Sequence, residues 1–201
     1  RAKEIQGIKH VYDQIEDHNI IHLPESCHVE GGDVMLFENY IFIGTYSADD
    51  YSKYITARTN SQAVDVIEKL FPNKTIIPFE LLKSNDDARN SALHLDCCLQ
   101  PVGNNKAITC PDVFLDKNQY QWIVDLFGAD NIFEISREEM YNMHCNIFSI
   151  DKNVVVSDKD FTRLNTWLEE NNFIVEKIKY TEVSKQGGLL RCSTLPLIRE
   201  N

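Results

Sequence analysis

A strand–strand–helix–strand pattern occurs three times in succession, and it limits the fold more than any other feature of the chain. Asp33–Phe37 and Tyr40–Gly44 read as a hairpin. A helix follows near Asn60–Phe71, with Ala63, Val66, Ile67 and Leu70 at helical spacing, and Thr75–Phe79 closes the unit. The second unit runs through His94–Leu99, Ala107–Cys110, a helix at Lys117–Phe127 ended by Gly128, and Ile132–Ile135. In the third, Asn146–Ile150 turns through Asp151-Lys152-Asn153 into Val154–Ser157, Asp158 stands as a helix N-cap, and Phe173–Lys179 closes the unit. The repeats fall at approximately 29–83, 93–136 and 145–180. Set around a ring, such units place strands about a central channel with helices outside, which makes residues 1–201 a single α/β-propeller domain.

Half of a further unit precedes them. Ile5, Ile8, Val11, Tyr12 and Ile15 mark a helical stripe, and Ile20–Leu23 reads as the strand after it. Its hairpin is absent, and the chain opens on Arg1 rather than methionine. The expectation is a propeller lacking its N-terminal one and a half units, with part of the binding site in a preceding segment. The strand expected around Cys192 would then close the ring against the N-terminal unit and put a thiol at the channel mouth, where ligands bind.

Composition narrows the partners. With 31 acidic against 20 basic residues the formal charge is −11, which argues against a nucleic-acid groove or an anionic membrane surface and favours a small cationic ligand. No apolar run reaches the roughly 18 residues of a membrane span and no signal peptide is evident, so the reading is a cytoplasmic enzyme or binding protein, with homo-oligomerisation left open. The six cysteines are scattered through a core-rich chain and read as reduced. Cys97 and Cys98, adjacent on an expected strand, would point to opposite faces, which argues against zinc. Cys27, Cys98, Cys110 and Cys145 read as small core hydrophobes, and His22, His28 and His144 as satisfied core histidines.

The chemistry gathers at strand ends. In the stretch LHLDCC, His94 and Asp96 alternate with leucine, so on a strand they share a face. A histidine there can protonate a leaving amine and later deprotonate water, while the carboxylate holds a cation. Glu30, before Gly31-Gly32, supplies a second acid, and Cys192, in GGLLRCST, supplies a nucleophile. Each has a plainer reading as well: a core histidine, a strand-end acid, a turn cap, a small buried hydrophobe. Arg58 can be a surface ion-pair partner, and Thr59-Asn60 the N-cap of the helix that follows.

Taken together, VEGGD, ARTN, LHLD and GGLLRCST resemble, in order and over about Val29–Glu200, the motifs of the guanidino-group-modifying superfamily, the penteins. That superfamily includes arginine deiminases, dimethylarginine dimethylaminohydrolases and arginine:glycine amidinotransferases. The resemblance implies a five-unit propeller in which Cys192 is the nucleophile, His94 the general acid/base and Glu30 the acid of the triad. Asp96 resembles the guanidinium-binding carboxylate of the deiminases, where the dimethylaminohydrolases carry lysine. Arg58 resembles the arginine that grips the substrate carboxylate. GGLLRC is longer than the deiminase form GGPRC.

The implied reaction is hydrolysis of a guanidinium on arginine or a close derivative. It passes through a covalent thiouronium on Cys192 to a ureido product and ammonia, with no metal or organic cofactor. The thiolate is expected mainly when substrate is bound. Two alternatives stay open: an amidinotransferase, in which an amine replaces water as acceptor, and a non-catalytic binding protein on the same fold.

Overall fold

The computed structural model describes residues 4–15 and 20–196. Three small sheets follow one another along the chain, each built as the repeat predicts. In the first, β1 (Val34–Phe37) pairs antiparallel with β2 (Tyr40–Thr45), and β2 pairs parallel with β3 (Thr75–Glu80). Parallel pairing needs a crossover, which the helix α1 (Ser61–Leu70) supplies. The second unit contains β4 (Leu99–Val102), β5 (Lys106–Thr109), α2 (Lys117–Phe127) and β6 (Ile132–Glu134). The third contains β7 (Phe148–Ser149), β8 (Val154–Asp158), α3 (Thr162–Glu170) and β9 (Ile174–Ile178). Both show the same antiparallel-then-parallel pairing.

Local chemistry sets these boundaries. The Asn60 side chain accepts from Ala63 N–H and starts α1, and Asp116 does the same for α2 through Asn118 N–H. Gly128, at φ +83°, ends α2. The β4–β5 turn places Asn104 and Asn105 at positive φ, a region that asparagine tolerates better than most residues.

The sheets share one core. Phe42 and Phe79 from the first, Leu99 and Ile108 from the second, and Val155 from the third belong to a single buried cluster. Trp122 on α2 meets Tyr40 and Phe42 of β2 edge-on, with ring centroids 5.4 and 5.8 Å away, so the helix of one unit seals the sheet of the one before it. No described helix is long and apolar enough to cross a membrane.

Five expected features differ. Residues 94–98 are a 3-10 turn (Leu95–Cys97) and not a strand, so His94 and Asp96 do not share a strand face, and Cys97 and Cys98 do not occupy opposite faces of one. The cause is Asp33: its carboxylate accepts the Leu95 N–H at 2.9 Å, and the turn closes through Cys97 N–H to His94 O and Cys98 N–H to Leu95 O. Cys192 likewise lies in a turn, not on a strand. Its neighbours Leu189 and Leu190 are buried in the shared core, and the Arg191 guanidinium donates to Val34 O of β1 at 3.3 Å, so the turn bridges to the first unit through side chains.

Asp158 ends β8 instead of capping a helix. Its carboxylate is taken by Asp160 N–H, Tyr180 N–H and the Thr181 hydroxyl, and α3 begins at Thr162 with no side-chain cap. Ile20–Leu23 forms no strand, and the expected N-terminal stripe is a 3-10 segment, Glu4–Ile8, running into one α-helical turn, Lys9–Tyr12. Arg1 and the last residues of the Val29–Glu200 stretch lie outside the described residues.

Candidate functional site

Segments leading into the first strand of each unit, together with the Cys192 turn, bring the candidate residues to one place. Each is held by a specific polar contact. Asn60 accepts from His28 N–H at 3.2 Å and donates to Ser26 O at 2.9 Å, so the cap of α1 also fixes the strand of chain that ends in Glu30. Glu30 N–H donates to Thr59 Oγ1 at 3.2 Å, and the Thr59 hydroxyl donates to Asp33 Oδ2 at 2.6 Å. The other oxygen of Asp33 holds Leu95 N–H. One continuous hydrogen-bonded path thus joins the Glu30 turn of the first unit to the His94 turn of the second.

His94 and Glu30 meet directly: His94 Nε2 lies 2.6 Å from Glu30 Oε2. Burial works against a charge on the ring, but hydrogen bonding to Cys192 and to Glu30, with the charges of Asp33 and Asp96, outweighs it and pushes the His94 pKa up to about 9. The same contact holds the Glu30 carboxyl down, to about 2, with Arg58 assisting. His94 Nδ1 is buried against Gly32 and makes no hydrogen bond among the described residues.

Cys192 is the exposed thiol of the six; the other five are buried, and all are free. Burial pushes the thiols of Cys97, Cys98 and Cys145 well up and that of Cys110 to about 11, which suits unreactive core positions. The Cys192 sulfur lies 3.6 and 3.9 Å from the two carboxylate oxygens of Asp96. Asp96 is almost fully buried, and burial pushes its carboxyl up while His94 and Arg191 oppose the shift. His144, by contrast, stacks on Phe161 with ring centroids 3.9 Å apart, a core role.

Arg58 reaches the same carboxylate as His94. Its Nη1 donates to Glu30 Oε2 at 3.2 Å and its Nε to Ile55 O at 3.4 Å, so the carboxylate it holds here is the protein's own.

One glycine of each motif is there for space. A Cβ on Gly32 would lie 2.7 Å from His94 Nδ1, and one on Gly188 would lie 2.8 Å from the Cys192 Cβ. Gly32→Ala is therefore expected to displace the His94 ring. The fold should survive at a cost of about 1–3 kcal/mol, while any activity routed through His94 falls by roughly 10²-fold. Steady-state kinetics with a denaturant melt checks this; unchanged activity would mean that the ring position is not critical.

Two residues went unnoticed in the sequence. Asn146, fully buried, touches both Cys192 and the Asp96 backbone, and Arg191 lies close enough to bear on the Asp96 charge. The available signal was the repeat itself: Asn146 leads into the third unit as Glu30 and His94 lead into the first and second. A cavity of about 430 Å³ adjoins the site through Cys97 and Gly187; Ile55, Leu93 and Tyr141 give it apolar walls, and Asn85 and Lys185 polar ones. Among the described residues no cluster of three or more metal-ligating side chains occurs.

The chain is 26% identical over 177 residues to the uncharacterized protein YkgA of Bacillus subtilis (strain 168), covering 85% of this chain and 52% of that one; it spans about half the length of that curated relative. Among solved structures, the N-terminal domain of ArgZ, an arginine dihydrolase from the ornithine-ammonia cycle in Cyanobacteria, superposes with a TM-score of 0.74. Identity is 22%, over 94% of this chain and 65% of that one. A dimethylarginine dimethylaminohydrolase adduct with 4-chloro-2-hydroxymethylpyridine superposes with a TM-score of 0.69 at 20% identity, over 94% and 66%. These likenesses establish a mixed α/β fold of pentein type. The family model for eukaryotic N,N dimethylarginine dimethylhydrolase matches residues 3–199, nearly the whole chain, and by that match the chain belongs to this family of guanidino-modifying penteins.

Proposed function

We propose that the chain carries the site of a cysteine-dependent hydrolase acting on the guanidinium of arginine or a close derivative. The observation that carries this reading is the meeting of three groups: an exposed thiol against the Asp96 carboxylate, and a histidine held by Glu30 and interacting with that thiol. Asp96 would hold the planar cation, and Cys192, its proton released to solvent, would attack the central carbon as the thiolate. His94, charged at neutral pH, would protonate the nitrogen that leaves. The resulting thiouronium would be hydrolysed by water deprotonated by the now neutral His94, giving a ureido product and free thiol. Arg58 would orient Glu30 and use its remaining donors for the substrate carboxylate. The tail of the substrate would extend toward the neighbouring cavity, whose volume suits a small ligand.

Asp96 favours an unmethylated guanidinium. Methyl groups remove the N–H donors that its oxygens need, and a buried acceptor left unpaired costs about 1–3 kcal/mol. Arginine is therefore expected to turn over at least tenfold faster than asymmetric dimethylarginine. The family description favours the second reading, hydrolysis of dimethylarginine, and equal or faster turnover of the dimethylated substrate would establish it instead. Product analysis of the full chain with arginine and no added amine separates hydrolysis from amidino transfer: ureido product with ammonia means hydrolysis. Absence of turnover on arginine, methylated arginines, agmatine and succinylated arginine would favour a binding role.

A further inference from the structure

Four consecutive backbone N–H groups of the Cys192 turn, residues 189–192, end on one residue. Asn146 Oδ1 accepts from Leu189 N–H at 3.0 Å and from Cys192 N–H at 3.1 Å. Its backbone oxygen accepts from Leu190 N–H at 3.1 Å and from Arg191 N–H at 3.3 Å. The turn is neither helix nor strand, so without Asn146 these donors would be buried or strained in search of partners. Docking the turn needs only the two oxygens. Asn146 does more: its Nδ2 donates to Cys192 Sγ at 3.2 Å and to Asp96 O at 3.3 Å.

That N–H bears on the chemistry. A thiolate accepts a hydrogen bond far better than a thiol does, and here the sulfur stands 3.6 Å from a carboxylate that disfavours a second negative charge. Asn146 is fully buried, so its amide is fixed and pays no reorganisation when charge develops on sulfur. We propose that Asn146 is a catalytic residue, which docks the Cys192 turn through its oxygens and stabilises the attacking thiolate through its Nδ2–H. This rests on the reading of Cys192 as nucleophile, but the tests below need no turnover and so stand or fall separately from it.

Asn146→Asp keeps an oxygen for Leu189 and Cys192 and removes the donor. Alkylation of Cys192 by iodoacetamide at neutral pH, followed by peptide mass spectrometry, is expected to be at least about tenfold slower than in the wild type, with the thermal midpoint within a few degrees. Alkylation at the wild-type rate would overturn the donor role. Should that variant not fold, the wild-type chain answers alone: the Asn146 side-chain amide proton, followed by NMR across a pH titration, is expected to move downfield as the thiol ionises, and to stay fixed in Cys192→Ala. An amide resonance that does not respond in the wild type would overturn the proposal.

Discussion

Replacing Cys192 by serine is expected to lower turnover of a guanidino substrate by roughly 10³-fold or more while the substrate still binds. The substitution exchanges a polarisable nucleophile for a hydroxyl that must lose its proton almost completely before it can attack. The Asp96 carboxylate and the docking of the turn on Asn146 stay in place, because none of the four contacts of Asn146 with the turn backbone involves the sulfur. Calorimetric binding beside steady-state kinetics separates the two effects. Cys98→Ser serves as the control, since Cys98 is buried with its thiol turned to the His94 and Leu95 carbonyls. If Cys192→Ser turns over substrate at the wild-type rate, the nucleophile has been assigned wrongly.

Loss of the histidine is the second large effect. His94→Ala removes the proton donor for the departing nitrogen, and release of nitrogen product should fall by roughly 10²–10⁴-fold. The acid form is what the first step needs. With the His94 pKa raised to about 9, kcat/KM should hold through neutral pH and fall as the pH rises through about 9, where the ring loses its proton. Glu30→Gln removes one of the partners that raise this value, so the alkaline limb should move down toward the ordinary histidine range near 6.5. A pH profile of kcat/KM reads this directly. An alkaline limb that stays put in Glu30→Gln would show that Glu30 does not set the charge of His94.

The sequence showed the architecture because the repeat is written in two periodicities, alternation in the hairpins and a 3.6-residue stripe in the helices; eight of the nine described strands and the three crossover helices lie within a few residues of their expected places, and β4 begins where the expected strand ends. It misled where a side chain overrides the backbone pattern. His94-Leu95-Asp96 alternates like a strand, yet the Asp33 carboxylate captures Leu95 N–H across the core and turns the chain there. Asp158 has the chemistry of an N-cap but spends it on Tyr180 and Thr181, more than twenty residues away. The ends of the motifs were legible as residue types, whereas their partners were not. Nothing local marks Asn146 as a neighbour of Cys192, or sends Arg58 to Glu30, because those pairings exist only once three units pack together.

Acid quench of the full chain during turnover, followed by intact-mass and peptide mass spectrometry, tests the central claim most directly. The account predicts that an adduct with the mass of the whole substrate less ammonia accumulates on Cys192 and on no other cysteine. It should be absent from Cys192→Ser. Active enzyme that carries no adduct at any quench time, or an adduct that maps to Cys97 or another buried thiol, would contradict the covalent mechanism at this site.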